Sequence, residues 1–489
     1  MKFTLTIILA LTLNFSAIPA DATDFDKSII QVLVTFQEYD PFLPWQKNHP
    51  GHRQGYGVVI SESRVITTES IVRNHALVEL REAATGEKIT AVVEISDYQA
   101  NLALLSILDP EKAPKLVPLR LTDHLTRDAE VEIVQFDETT QIQRGKAKVV
   151  QIAVKQLPDA PDLSLTFSLL TDLNISGEGA AVVHDGNLAG LIMNYDRNTR
   201  VGTMAPYCVL KHFIDDAAES PYRGFASAGF VWSPLVDPTK RAYLNVNTPE
   251  RGILVLSRLP GTGASETLQQ NDVIMEWDGH AVDNLGFYED PEFGRLALPY
   301  LISGRRKPDN VVSARIIRDR SEMKVNVRLG HHSDNDCLIP DNITGAQAEY
   351  LVEGGFIIRE LTGRYLQAHG GEWQRAVDPR LVHLYLTQKH CPETLRDRIV
   401  ILCAVLPDPI NIGYNSFRNE IITKVNGESI RNMADVFRIV DRDGSVERVT
   451  LKSGGVDLVL DQDELATANS RLARLYRIPR LRYQREPVK

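Results

Sequence analysis

The stretch Thr171-Asp-Leu-Asn-Ile-Ser-Gly-Glu-Gly-Ala-Ala-Val-Val-His-Asp-Gly-Asn-Leu-Ala-Gly-Leu-Ile-Met-Asn194 decides how the rest of the chain is interpreted. A segment of small residues leads into an apolar run, and the polar tip His184-Asp-Gly-Asn187 separates that run from a second one. Two apolar runs joined by an Asp-Gly tip predict a β-hairpin. The small residues in front of the hairpin predict a tight turn.

This arrangement resembles the nucleophile loop of a chymotrypsin-type barrel, and the segment is similar to that of the HtrA/Deg (DegP-like) serine proteases, which reads Gly-Asn-Ser-Gly-Gly-Ala before the hairpin. Counting back from Gly190 without a gap places Gly177 at the family's nucleophile position. A one-residue insertion at Glu178 would place Ser176 there instead, and the loop alone leaves both alignments open. The altered turn also predicts a weakened oxyanion hole, which needs backbone N–H groups fixed in one direction.

The other two triad positions fall on residues that cannot act as a catalytic base. Gly55–Ile60 and Arg64–Val72 resemble the family's first-barrel segments, which places Ser70 at the general base. An alcohol cannot accept a proton from another alcohol near neutral pH. Ala91–Ser106 resembles the family's Asp-x-x-x-Asp-Ile-Ala-Leu-Leu pattern and has Asn101 at the orienting aspartate, where an amide carries no charge. The resemblance therefore implies a protease domain with a degenerate triad.

Four other polar residues are candidates to replace the missing triad residues. His75 lies beyond the predicted base position and His184 at the predicted hairpin tip, so we interpret both as surface histidines. Glu69 and Glu178 could act as a carboxylate pair, but with no nucleophile, pocket or metal motif beside them we interpret both as exposed turn residues. No metal or cofactor is expected, because the crowded polar segment His331–Asp336 favours solvation over coordination.

Residues 220–332 resemble a PDZ domain. Ala264–Val282 is similar to the family's sequence of short helix, polar turn, Asp-Val-Ile strand and Asp-Gly hairpin. By this resemblance Ser227, Ala228, Gly229 and Phe230 form the loop that gives N–H groups to a peptide carboxylate, and the strand after it pairs with the peptide. Phe230 would line the pocket for the terminal side chain. The alternative is a groove filled by a neighbouring segment of the same chain.

Residues 345–465 resemble a second PDZ-like unit, of the kind found in the plant-type Deg branch. The motifs Asn411-Ile-Gly-Tyr414 and Val425-Asn-Gly427 carry this resemblance, and the long insert Leu285–Ile302 of the first unit is similar to the same branch. In that branch the second unit mainly builds the assembly. Residues 466–489 are predicted to be a C-terminal helix and tail, with the apolar periodicity of the helix running over Leu465–Ile478.

Residues 1–22 have the pattern of a secretory signal peptide, with a positive start, a short apolar run and an Ala20-Asp-Ala22 ending. No later stretch is apolar enough for a membrane span. We therefore expect an exported protein, periplasmic or extracellular, without a membrane span after cleavage. The formal charge of -10 argues against a nucleic-acid partner.

The N-terminal part of the mature chain and the cysteines leave alternatives open. Phe25–Tyr56 is rich in aromatic residues. By resemblance such an arm implies a homo-oligomer, trimer-based in the family, and the alternative is an arm that covers the first barrel. Four cysteines are too few for a disulfide scaffold. Cys391 and Cys403 are the nearest pair for one bridge, and buried free thiols are an equal alternative.

These observations predict a mainly β chain, with a chymotrypsin-like double β-barrel in residues 23–217 followed by two PDZ domains. The first hypothesis is an exported, catalytically inactive HtrA/Deg homologue that binds unfolded or C-terminal protein segments in quality control or scaffolding. The second is an ATP-independent serine endopeptidase with a rearranged site that uses Ser176. The third is a purely structural assembly protein that uses both PDZ-like units for self-contact.

Overall fold

The computed structural model describes residues 25–82, 86–112, 116–137, 139–157, 162–331, 334–341, 347–390 and 397–485. The predicted signal peptide, residues 1–22, lies outside these ranges, and so does Cys391, the predicted partner of Cys403. Among the described cysteines, Cys208 and Cys403 carry free thiols.

Two closed six-stranded barrels occupy the described residues between 29 and 206. The strands of the first are β1 (Ile29–Phe36), β2 (Gly51–Ser61), β3 (Arg64–Thr67), β4 (His75–Arg81), β5 (Lys88–Asp97) and β6 (Leu102–Ile107). Those of the second are β7 (Glu130–Phe136), β8 (Ile142–Gln156), β9 (Leu163–Thr171), β10 (Ala181–His184), β11 (Asn187–Asp196) and β12 (Val201–Pro206). The strand orders β1-β2-β3-β6-β5-β4 and β10-β11-β12-β9-β8-β7 confirm the predicted double barrel. Helix α1 (Glu69–Val72) follows β3, and helix α2 (Tyr207–Ala217) follows β12.

Strand β6 contributes side chains to two hydrophobic cores. Successive side chains of a strand point to opposite faces. Ala103 and Leu105 therefore enter the core inside the first barrel, whereas Leu102 and Leu104 enter the core that continues into the second barrel. Because both faces of β6 are covered, its first four residues, Leu102–Leu105, are all apolar rather than alternating with polar ones.

The predicted hairpin after the nucleophile loop is confirmed. Strand β10 pairs with β11, and His184 lies opposite Asn187 in the register. The two turn residues, Asp185 and Gly186, have φ angles of 48° and 76°. Positive φ at both central residues is the type I′ geometry that matches the twist of a two-residue hairpin.

The next unit is a twisted antiparallel sheet with short helices. Its strands are β13 (Phe230–Pro234), β14 (Ile253–Arg258), β15 (Val273–Trp277), β16 (His280–Ala281), β17 (Phe287–Asp290), β18 (Gly294–Ala297), β19 (Val311–Arg318) and β20 (Ser321–Arg328). Its helices are α3 (Pro238–Tyr243), α4 (Gly263–Thr267) and α5 (Leu298–Ser303). The sheet order is β13-β14-β15-β19-β20, with β16 beside β15 and with β17 and β18 forming a separate hairpin.

The long insert of this unit fastens it to the second barrel. Phe293, in the β17–β18 hairpin, packs edge-on against Phe167 of β9, with ring centroids 5.6 Å apart. The hydroxyl of Tyr207 at the start of α2 donates a hydrogen bond to Glu292. One hydrophobic core therefore runs from the barrels into this unit.

The last unit is built on a larger sheet. Its strands are β21 (Tyr350–Glu353), β22 (Phe356–Glu360), β23 (Val400–Val405), β24 (Glu420–Val425), β25 (Glu428–Ser429), β26 (Arg448–Leu451), β27 (Asp457–Val459) and β28 (Arg482–Tyr483). Its helices are α6 (Gly363–Gln367), α7 (Trp373–Ala376), α8 (Pro379–Gln388), α9 (Met433–Asp443) and α10 (Gln462–Leu475). The order is β27-β26-β24-β23-β22-β21-β28, with β25 beside β24.

The C-terminal helix differs from its prediction at both ends. Helix α10 begins at Gln462, three residues before the predicted start, because the Asp461 side chain accepts a hydrogen bond from the N–H of Asp463 and caps it. It ends at Leu475 rather than Ile478, since Arg477 adopts a φ of 52°, which a right-handed helix does not allow. The helix packs into the unit's cores through Leu465 and Leu472, so it is not a free tail.

The segment between β1 and β2 packs on the last unit, whereas the flanking parts of the predicted arm Phe25–Tyr56 form these two strands of the first barrel. Trp45 is 6% exposed and lies in the core of that unit, with its ring 6.0 Å from that of Tyr350. The Phe42 ring contacts Tyr365 edge-on at 5.5 Å. Contacts between residues more than 300 positions apart therefore join the start of the chain to its end.

A buried carboxyl group in the last unit predicts a pH-dependent stability. Burial raises the pKa of Glu353 from 4.5 to about 7, although the N–H of Val446 partly offsets this. The pKa of Glu353 is higher in the folded protein than in the unfolded one. The stabilising contribution of the protonated side chain is therefore complete below about pH 4.5 and is lost as the pH rises through 7. A shift of this size corresponds to roughly 3 kcal/mol of unfolding free energy.

Glu353→Gln should remove this pH dependence while keeping the acceptor for Val446, which lies 3.1 Å from the carboxylate. The measurement is urea unfolding at pH 5 and pH 8, followed by the fluorescence of Trp45 and Trp373, which pack in this unit. An unchanged difference between the two pH values in the variant would rule out Glu353 as its source.

Candidate functional site

The two first-barrel triad positions lie side by side. Ser70 is in helix α1, and its backbone N–H donates to the Asn101 side-chain oxygen at 2.8 Å. Asn101 is 1% exposed and occupies the turn between β5 and β6 with a φ of 52°, a conformation that asparagine tolerates. The structure thus brings together the positions predicted for base and orienting residue, and the amide of Asn101 holds the backbone of Ser70.

Glu178 reaches across from the second barrel to Ser70. The Ser70 hydroxyl donates to the Glu178 carboxylate, and the hydroxyl of Thr68 lies 3.3 Å from the same oxygen. Glu178 is half-buried, so its interpretation as an exposed turn residue is wrong. A carboxylate is a much weaker base than an alkoxide, so it holds the alcohol by a hydrogen bond and does not deprotonate it. This cluster joins the barrels with hydrogen bonds and supplies no strong base.

Glu69 was also wrongly interpreted as an exposed turn residue. It is 1% exposed, and its carboxylate accepts from the Arg73 guanidinium at 2.5 to 3.1 Å. The Arg73 guanidinium in turn lies 4.7 Å above the ring of Tyr98. A carboxylate that is buried and paired with arginine holds helix α1 in place and is not positioned to act on a substrate.

Ser176 is turned toward the second barrel. Its Oγ lies 2.5 Å from the Tyr56 hydroxyl and 3.3 Å from the side-chain oxygen of Gln135. Burial raises the pKa of Tyr56, which keeps its phenol protonated at neutral pH. Neither a neutral phenol nor an amide can deprotonate a serine, so the hydroxyl of Ser176 has no base among these partners.

Tyr56 covers the loop position that the ungapped alignment assigns to the nucleophile. A Cβ atom on Gly177 would lie 3.1 Å from the Tyr56 ring. The Tyr56 hydroxyl also donates to the carbonyl of Phe136 at 3.1 Å. The related proteases have a serine between the two glycines of this first-barrel motif, so the tyrosine in Gly55-Tyr-Gly57 was a visible signal of this contact, and sequence reasoning missed it.

Two backbone amides of the nucleophile loop already have protein partners. The N–H of Ser176 donates to the side-chain oxygen of Gln135 at 3.0 Å, and that of Gly179 donates to the carbonyl of Ile192 at 2.8 Å. An oxyanion hole requires N–H groups that are free to face the substrate. These two amides are therefore not available for that purpose in this conformation.

The remaining histidine candidates lie away from the cluster, as expected for surface residues. His75 is exposed, and its Nδ1 contacts the carbonyl of Val72 at 2.9 Å. His184 is partly exposed, and its Nδ1 contacts the carbonyl of Glu130 at 3.0 Å. In the described part of the chain, no group of three or more His, Cys, Asp and Glu side chains is arranged to hold a metal ion.

Removing the Glu178 carboxylate is expected to destabilise the contact between the barrels. Glu178→Ala leaves the hydroxyl of Thr68, which is fully buried, without this acceptor. We expect a loss of about 1–3 kcal/mol in unfolding free energy, the range for hydrogen bonds to a charged group. The measurement is urea unfolding, with the exposed turn residue Glu62 changed to alanine as control. Equal stability of the two variants would refute this role for Glu178.

The loop predicted to receive a peptide carboxylate has an ordered backbone. Ser227 exchanges two backbone hydrogen bonds with Gly330, at 2.8 and 2.9 Å. Gly229 has a φ of 73°, and its carbonyl accepts from the N–H of Leu259 at 2.8 Å. Among the described residues, the N–H of Ala228 donates to no protein acceptor. Phe230 begins β13, and its ring lies 5.5 Å from that of Trp277.

The two sheets differ at the strand that follows the glycine loop, which is Ser227–Gly229 in the first unit and Gly354-Gly355 in the last. Strand β13 pairs only with β14 among the described strands, so its outer edge has no strand partner there. The corresponding strand of the last unit, β22, has β23 on one side and β21 on the other, and β21 pairs in turn with β28. A peptide could therefore add to β13 without displacing a strand, whereas the edge of β22 is already paired.

Comparisons with known proteins agree with this architecture. A family model described as the PDZ domain matches residues 339–484. Protease Do-like 2, chloroplastic, of Arabidopsis thaliana is 26% identical over 426 residues, covering 85% of this chain and 68% of the relative. Putative protease Do-like 3, mitochondrial, of the same plant is 23% identical over 458 residues, covering 92% of this chain and 78% of the relative.

A solved structure shares the fold. The HtrA-type protease AlgW with tripeptide superposes with a TM-score of 0.50 at 15% identity, covering 63% of this chain and 95% of that one. Among the described residues, no helix is both long and apolar enough to cross a membrane. The chain is therefore a homologue of Deg/HtrA-like proteases of Arabidopsis thaliana and contains a PDZ domain, and the plant-type Deg branch fits it.

Proposed function

We propose that this protein is a catalytically inactive HtrA/Deg-type protease homologue that holds protein segments instead of cutting them. The observation that carries the proposal is the contact of Ser70 with Glu178. A serine stands at the position of the general base, and its hydroxyl donates a hydrogen bond to the Glu178 carboxylate. Because no imidazole is present there, proton transfer from a nucleophile has no acceptor of suitable pKa.

The nucleophile loop supports the same conclusion under both alignments. Gly177 has no side chain to attack a substrate. Ser176 has a hydroxyl, but Tyr56 and Gln135 are its partners, and they are not bases. In the alignment that makes Ser176 the nucleophile, its own amide already donates to Gln135, which weakens oxyanion stabilisation as well.

The binding function is assigned to the first PDZ unit. The loop from Ser227 to Phe230 would bind the terminal carboxylate of a peptide through backbone N–H groups, and the outer edge of β13 would pair with the extended peptide. The last unit would act in assembly, because its corresponding edge is paired with β21. We further propose that the protein is exported through its N-terminal leader and forms homo-oligomers, in protein quality control or scaffolding.

Peptide titration by fluorescence anisotropy tests the binding function. The probe is a labelled decapeptide that ends in an apolar residue with a free carboxylate, and the matched control is the same peptide with a C-terminal amide. We expect the amide to bind at least about tenfold more weakly, because it removes the charge that the loop amides bind. Equal affinities for the two peptides, or no binding of either, would refute carboxylate recognition by this unit.

A further inference from the structure

A second candidate site lies where the N-terminal arm, the first barrel and the last unit meet. A cavity of about 570 Å³ is bounded by residues 37–47 of the arm, residues 73–75 of the first barrel, and residues 347–365 and 480–483 of the last unit. This volume lies in the range of sites that hold small molecules. The peptide-binding edge of β13 contributes no residue to it.

Positive charge predominates on the cavity wall, although the chain as a whole carries a formal charge of -10. Two carboxylates, Glu38 and Asp40, line the cavity. The cationic side chains that line it are Lys47, Arg73, Arg359, Arg364 and Arg480. A cleft whose wall has an excess of one sign of charge raises the local concentration of oppositely charged ligands.

Both carboxylates of the wall already have protein partners. Glu38 pairs with Arg364 and with Arg53. Asp40 accepts hydrogen bonds from the backbone N–H groups of Phe42 and Leu43, at 2.7 and 2.9 Å. The charge of Glu38 is therefore already paired with arginine, whereas Asp40 keeps its negative charge and offsets part of the positive charge of the wall.

Arg359 is a buried cation on the cavity wall. It is 3% exposed, and its guanidinium donates to two backbone carbonyls, those of Pro41 and Glu360. The guanidinium also lies 5.1 Å above the ring of Tyr365. None of the described carboxylates forms an ion pair with it. Two hydrogen bonds use fewer than half of the five N–H donors of an arginine.

The charge of Arg359 is therefore buried without a direct counter-ion. Burial lowers the pKa of Arg359, and the charges of Glu360 and Asp40 only partly compensate. Glu360 pairs with Arg398 at 3.5 Å. Burying an unpaired cation costs free energy that an anion in the adjacent cavity would recover.

Two further cations have no carboxylate partner among the described residues. Lys47 is exposed and lies 5.1 Å from the centre of the Tyr39 ring, and Arg480 is exposed and lines the same cavity. Together with Arg359 they provide three positive charges. A phosphate group carries close to two negative charges at neutral pH and suits the fork of an arginine guanidinium. A monocarboxylate would leave more of this charge unpaired.

We propose that this cavity binds a phosphate group, either as inorganic phosphate or as the phosphate ester of a small molecule. The ligand would bridge the arm and the last unit, because Lys47 belongs to the first and Arg359 and Arg480 to the second. Binding should therefore stabilise the docking of the arm.

The test uses the full chain and isothermal titration calorimetry at constant ionic strength. Inorganic phosphate and glycerol phosphate are titrated separately, which distinguishes the free ion from the ester, and sodium acetate is the control anion. Saturable binding of at least one phosphate species, about fivefold or more tighter than acetate, is the expected result. Phosphate binding that is no tighter than acetate binding would overturn the proposal.

Two variants test whether phosphate binds in this cavity. Lys47→Gln and Arg480→Gln remove exposed cations of the wall and should each weaken phosphate binding by about fivefold or more. Arg474→Gln, an exposed arginine of α10 that does not line the cavity, is the matched control and should bind as wild type does. Wild-type affinity in both cavity variants would show that phosphate binds elsewhere and would overturn the assignment. Arg359 is not the primary variant, because its contact with Pro41 also holds the arm.

Discussion

Gly229→Val is expected to weaken the binding of a carboxyl-terminal peptide by at least about tenfold. Gly229 has a φ of 73°, a conformation that β-branched residues very rarely adopt. A Cβ atom at this position would lie 2.3 Å from the Thr262 hydroxyl oxygen, so the loop or Thr262 must move. In the proposed function the loop amides bind the carboxylate in one arrangement, so the displacement should remove the site.

Gly279→Val is the matched control. Gly279 belongs to the same unit and has a similar φ of 80°, but no atom lies within 4 Å of the Cβ position. It therefore carries the same backbone strain without displacing the loop. Anisotropy titration should show peptide affinity close to wild type for Gly279→Val and a large loss for Gly229→Val. Similar affinities in both variants would place the peptide site elsewhere.

Tyr56→Ala should have the largest effect on stability, a loss of about 3–5 kcal/mol in the unfolding free energy of the double barrel. Tyr56 is 6% exposed, and its ring packs against Phe136 with centroids 5.8 Å apart. Alanine would leave a cavity between the barrels and remove the hydroxyl that contacts Ser176 and the Phe136 carbonyl. Tyr56→Phe, which keeps the ring, should cost only about 1 kcal/mol.

Amide hydrogen exchange of strands β2 and β10 measures the loss of unfolding free energy within the two barrels. Tyr243→Ala is the control, because Tyr243 is 68% exposed and should change the unfolding free energy by less than about 0.5 kcal/mol. If Tyr56→Ala left the exchange of both strands unchanged, the assignment of Tyr56 to the packing between the barrels would be wrong.

The features that could be predicted are those set by local pattern. The Asp-Gly tip fixed the hairpin at His184–Asn187, since a two-residue turn with positive φ at both positions requires such residues. The side-by-side placement of Ser70 and Asn101 followed from the resemblance to a known barrel. For Glu69 the partner was visible in principle, because Arg73 lies four residues further along a helix.

The features that could not be predicted are contacts between distant parts of the chain. Ser70 and Glu178 are 108 residues apart, and no periodicity relates them. The arm contact between Pro44 and Gln347 spans 303 residues. Strands β21 and β28 are too short to give a pattern, so the closed edge of the last unit was not foreseen from its glycine loop. The basic cavity could not be predicted for the same reason, because its wall is formed by three separate parts of the chain.

We expect the two barrels not to catalyse peptide hydrolysis. Two assays on the purified chain test this expectation. Unfolded casein reports cleavage, a fluorophosphonate probe reports an activated serine, and Ser176→Ala is the control variant. We predict neither cleavage nor labelling, in the wild type or in the variant. Cleavage and labelling in the wild type that both disappear in Ser176→Ala would contradict the account and identify Ser176 as a nucleophile.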